Sequence, residues 1–164
     1  MNFFSKLLSR SYFIAKSVMV NVLQYTADMR PYRAYRKALE SYPQGTVGRE
    51  VANYLRRTNS DFIPGFEAHE FKHVLIGYEN SFDEELRLQA FMLGNGNYSP
   101  FCLFFLSAGI FQWKKLSDHF RAGRKCVSIV RWKLEDVAHM PLNRLRHIMY
   151  SGMPLNPGDM KVRK

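Results

Sequence analysis

The segment from His69 to Glu85, HEFKHVLIGYENSFDEE, constrains the fold more than any other stretch of the chain. Two histidines four residues apart project from one face of a helix, so both imidazoles can reach a single ion. Gly77 predicts the stop of that helix. Ser81 and Glu84 form the Ser-x-x-Glu pattern that opens another. Glu85 then falls in the first turn of the second helix, where an antiparallel pair returns its carboxylate toward His73. The expectation is a metal site shared by two consecutive helices, built on His69, His73 and Glu85. A pair of histidines hydrogen-bonded to carboxylates, with no ion, is the plainer alternative.

The rest of the chain reads as helices separated by short turns, without the alternating pattern of strands. The predicted class is all-α, a single-domain helical bundle. Pro31 opens a helix that runs to about Ser41 and is stopped by Pro43. Thr46 caps a helix carrying Val47, Val51, Tyr54 and Leu55. NSDFIPGFE is a loop by its Asn, Pro and Gly content. Ser99 and Pro100 fit the cap and first position of an apolar helix, FCLFFLSAGIFQW, too short to span a bilayer and expected to be buried. A basic helix from about Lys114 to Arg121 is expected to end at Gly123. Residues 127–132 are either a short strand or a connection, and Pro141 opens a last helix stopped by Gly152.

Three regions follow: amphipathic N-terminal helices over 1–41 as a membrane-contacting region, a metal-motif domain over 42–152, and a basic tail over 153–164. Residues 1–27 carry three bases, no acid and apolar residues at helical spacing. That pattern suits a first helix, an interfacial helix or a targeting segment.

With 164 residues, 46% of them hydrophobic, the chain can bury a core. Its 24 Lys+Arg against 14 Asp+Glu, a formal +10, fit anionic partners such as nucleic acid, anionic lipid or acidic small molecules. A basic surface that only aids solubility is the plainer alternative. The two cysteines, Cys102 and Cys126, form no Cys-x-x-Cys pair, which argues against a disulfide scaffold and against a thiolate zinc site. No nucleic-acid reading module accompanies the bases, so nucleic acid is not expected as a partner.

His-Glu-x-x-His is also the signature of zinc peptidases, with the Glu as general base. The thermolysin type takes its third ligand farther along the chain than Glu85. The longer pattern requires Gly and His where this chain has Ile76 and Glu79. Two His plus one carboxylate instead matches the facial triad of non-haem iron, and zinc is equally admissible on residue type.

These segments resemble the coenzyme Q (ubiquinone) biosynthesis protein four family. That family is marked by His-Asp-x-x-His followed, after eleven residues, by Glu; this chain has His69, Glu70, His73 and Glu85 at that spacing. GTVGREVANYL (45–55), EELRLQAF (84–91), RAGRK (121–125) and PLNRLRHIM (141–149) look like the family's flanking segments. The resemblance covers roughly 42–149. It implies an all-helical fold and a divalent ion, zinc or iron, on His69, Glu70, His73 and Glu85. It implies a prenylated quinone precursor or isoprenoid lipid as ligand, other quinone-biosynthesis proteins as partners, and a homodimer as one open assembly. The implied location is peripheral, at the cytoplasmic face of a bacterial membrane or the matrix side of the mitochondrial inner membrane. The implied role is either oxidative removal of the ring carboxyl with hydroxylation, or non-enzymatic presentation of ring intermediates. Glu70 stands where the family carries Asp, one methylene longer, and is either a direct ligand or a proton-transfer group beside the ligands.

Overall fold

The structure is a computed structural model, and it describes residues 10, 11, 14, 18, 21–23, 25–109 and 112–152 of the chain. From Arg30 onward the helices of the described residues are α1 (Arg30–Glu40), α2 (Val47–Arg57), α3 (Glu67–Ile76), α4 (Phe82–Gly94), α5 (Pro100–Ala108), α6 (Trp113–Lys125), α7 (Leu134–Val137) and α8 (Leu142–Ser151). Among the described residues there is no strand, only one isolated bridge between Thr46 and Pro141. The protein is an all-α bundle. Most of residues 1–27 and all of the basic tail from 153 onward lie outside the described residues.

The boundaries follow local chemistry. Pro31 sits in the first turn of α1, where its missing N–H costs nothing. The side chains of Thr46, Ser81 and Ser99 accept from the backbone N–H groups of Arg49, Glu84 and Cys102, so α2, α4 and α5 each start on a hydroxyl cap. The reciprocal half of the box at Ser81 does not form, because the Glu84 carboxylate pairs with Arg87 instead. Gly77 closes α3 at φ +93° and Gly152 closes α8 at φ +76°, left-handed positions that suit glycine.

A large apolar core gathers α1, α2, α3, α4, α7 and α8 around Val51, Leu55, Phe62, Phe71, Leu88 and Leu145. Phe62 belongs to the 59–66 loop yet is fully buried, and Arg36 of α1 holds that loop through Asp61 at 2.6 Å. A smaller cluster joins α4, α5 and α6 through Phe82, Leu86, Ala90, Cys102, Leu106 and Leu116. Helix α4 serves both clusters, and Glu85 and Gln89 lie on its circumference between the two apolar sectors.

Two expectations need correction. The basic helix does not end at Gly123 but runs through it to Lys125. There α6 crosses α4 at glycine on both sides: a Cβ on Gly94 would overlap the Phe120 carbonyl, and one on Gly123 would overlap the Phe91 carbonyl. The glycines are therefore contact points of two close-packed backbones, not breaks. Just beyond, buried Asn95 donates to the carbonyls of Gly123 and Val127 and accepts from the N–H of Ile129. This ties the end of α4 to an irregular connection where a strand was one option. Second, α5 is not a buried helix. Cys102 and Leu106 are buried, but Leu103 and Phe104 project outward.

Candidate metal centre

Helices α3 and α4 meet at His69, His73 and Glu85. The Nε2 atoms of the two histidines lie 3.1 Å apart, and each is 3.2 Å from Oε2 of Glu85. These three atoms form a compact triangle that could hold a metal ion. Metal–ligand bonds of about 2.1 Å put ligand atoms about 3.4 Å apart in a tetrahedron and about 3.0 Å apart in an octahedron. The observed edges fall between, a spacing compatible with three ligands of one ion.

What surrounds the triangle prepares it for a cation. The chain turns back after Gly77, and the Tyr78 carbonyl accepts from Nδ1 of His73 at 3.0 Å. With its proton assigned to Nδ1 by that bond, a neutral His73 turns a bare lone pair on Nε2 toward Glu85. The other carboxylate oxygen, Oε1, accepts from the Gln89 amide at 2.7 Å, which fixes the orientation of Oε2. Two acceptors 3.2 Å apart and shielded from water repel each other unless a proton or cation lies between them. Without an ion, a proton on the imidazole Nε2 atoms fills that gap: burial by itself would raise Glu85, but protonated His69 and His73 outweigh it. They hold its carboxyl well below the usual carboxylate range.

Burial defines the access. The side chains of His73 and Glu85 are 1% and 2% exposed, whereas that of His69 is 18% exposed. The opening is therefore on the His69 side, near the start of α3. Behind the site, the Tyr54 ring of α2 stacks on the His73 imidazole with centroids 5.8 Å apart. Arg146 of α8 donates to the carbonyls of Val74 and Leu75, satisfying the end of α3 and joining it to the core.

The structure brings together His69, His73 and Glu85 of the expected ligand set, and Glu70 is not in that group. One residue past His69, its side chain leaves the helix on a different face. It is buried, and after burial it is the strongest influence raising the Tyr54 phenol, whose buried hydroxyl has no hydrogen-bond partner among the described residues. Sequence reasoning missed Gln89, the Tyr78 carbonyl and Arg146. Of these only Gln89 carried a signal: it lies four residues after Glu85, on the same face of α4. No protein-family model matches the chain, and no curated protein matches it either.

Proposed function

We propose that this is a metal-binding protein of ubiquinone or related prenylquinone biosynthesis, working at a membrane surface on prenylated ring intermediates. The observation that carries the metal part is the meeting of two imidazole nitrogens and one carboxylate oxygen where His73 and Glu85 are buried, with Nδ1 of His73 against the Tyr78 carbonyl. The quinone part is supported by the spacing of His69, His73 and Glu85 and by the resembling segments around them.

In the enzymatic form of this reading, an ion held by His69, His73 and Glu85 would supply Lewis-acid chemistry if zinc, or oxygen activation if iron, at the ring carbon that loses its carboxyl. The chain's own residues have the other roles. His73 and Glu85 stay fixed through Tyr78 and Gln89, their burial shields them from water, and His69 faces the opening. In this reading Glu70, which is buried but not among the converging ligands, accepts or returns a proton rather than binding the ion.

The depth of the triangle favours a second form, a lipid-presenting scaffold in which the ion holds α3 to α4. One assay separates the two. Metal-loaded protein is incubated with a prenylated hydroxybenzoate and oxygen, and loss of the carboxyl is followed by mass spectrometry. Turnover that disappears in His73→Ala supports the enzyme. Binding of the lipid without turnover supports the scaffold, and neither binding nor turnover rejects both.

A further inference from the structure

Helix α5 carries no charged residue, and its outward face is apolar: Leu103 is 49% exposed and Phe104 73% exposed. Exposed Tyr98 precedes the helix and exposed Trp113 follows it. Single exposed apolar residues are ordinary on protein surfaces, but a group of this kind marks a contact surface. Helix α6 shares the smaller apolar cluster with α5 and lies on the same lobe. The face of α6 away from that cluster presents Lys114, Arg121, Arg124 and Lys125, all exposed, with exposed Trp113 at its start. Its one acid, Asp118, is paired with Arg121. Of the four bases of α1, three are differently placed: Arg30, Arg33 and Arg36 pair with nearby carboxylates.

We propose that the outward face of α5 and the basic face of α6 together dock on an anionic lipid bilayer, with the mouth of the metal centre turned toward it. The arrangement is that of an interfacial surface, with aliphatic and Phe side chains to enter the acyl region, Trp and Tyr at its edge, and Lys and Arg for the headgroups. A second copy of the chain would bring the same positive charge against these bases. Nucleic acid would use the bases but leave Leu103 without a partner.

A line of rings connects this surface to the site. Phe104 meets Phe105 with centroids 6.1 Å apart, Phe105 meets Phe101 at 4.6 Å, and Phe101 meets Phe66 at 5.5 Å. Phe66 caps α3 one turn before His69, the ligand on the open side. An apolar tail leaving the bilayer at Phe104 would follow apolar surface to that opening. This access route rests on the prenylquinone reading above, whereas the docking surface does not.

The test is flotation of the purified full chain with vesicles of phosphatidylcholine alone or with a quarter phosphatidylglycerol. Wild type is expected to float with the anionic vesicles, at least about tenfold more than with neutral ones. Leu103→Glu/Phe104→Glu and Arg124→Glu/Lys125→Glu should each lower that partitioning about tenfold or more, with unchanged thermal unfolding because these positions are exposed. His73→Ala should float like wild type, so a failure of the metal reading leaves this result intact. In a Trp132→Phe background, brominated acyl chains should quench Trp113 emission. Equal flotation of the Leu103/Phe104 variant would overturn the proposal. So would a wild-type protein that ignores both vesicles, whether it binds RNA through Arg124 and Lys125 or forms a dimer that Phe104→Glu disrupts.

Discussion

His73 carries three relations at once: its Nε2 faces Glu85 and His69, its Nδ1 donates to the Tyr78 carbonyl, and its ring stacks on Tyr54. His73→Ala should therefore remove stoichiometric binding of zinc or cobalt, read by titration calorimetry. Gln89→Leu disturbs only the residue that orients the carboxylate, and should weaken binding about 10–100-fold while leaving the stoichiometry intact. Glu70→Gln should leave metal content unchanged, because Glu70 is not one of the converging ligands. The ligands were legible because a helix forces side chains four apart onto one face, and because a cap at Ser81 fixes where Glu85 falls. The supports were not. A backbone carbonyl such as that of Tyr78 has no residue signature, and the reach of Arg146 to α3 is set only by tertiary packing.

At the scale of elements, the starts of α2, α4 and α5 were written in Thr46, Ser81 and Ser99, because a cap depends on residues three positions apart. Gly123 reads in the sequence as punctuation, since glycine in an isolated pattern signals a break, and Gly94 faces it across the crossing. Here each is the place where another backbone arrives, which a single sequence does not display. Gly123→Ala should push α6 off α4 and destabilise the fold by about 1–3 kcal/mol, measured by urea unfolding. Helix α5 was expected to be buried because its residues are apolar. Burial depends on what covers each face, and α4 covers only the side of Cys102 and Leu106. A pH effect also belongs at this scale. Burial, followed by the nearby Arg87, holds His119 below its ordinary value, and its neutral Nδ1 accepts from the Tyr78 hydroxyl at 2.6 Å. A lowered folded-state value means that its contribution to stability is complete above the unfolded value of about 6.5 and is lost as pH falls through the folded value. In chelator, the stability difference between wild type and His119→Gln should therefore shrink below that pH. A difference constant from pH 5 to 8 would exclude this role.

For the whole molecule, the candidate metal site lies beside both apolar clusters, with Glu85 on the helix common to both and His73 on a helix held by Arg146. An ion bound there stabilises the folded chain by mass action, since unfolding separates the ligands. Saturating zinc should raise the melting temperature and chelator should lower it, and the effect should fade in acid as protons compete for the imidazoles. The most direct measurement is X-ray absorption of the metal-loaded protein together with its metal content. The account predicts one tightly held ion per chain with two imidazole ligands and a carboxylate oxygen, lost in both His73→Ala and Glu85→Ala. A protein that retains no stoichiometric ion at neutral pH, or one whose ion and spectrum survive His73→Ala, would contradict it.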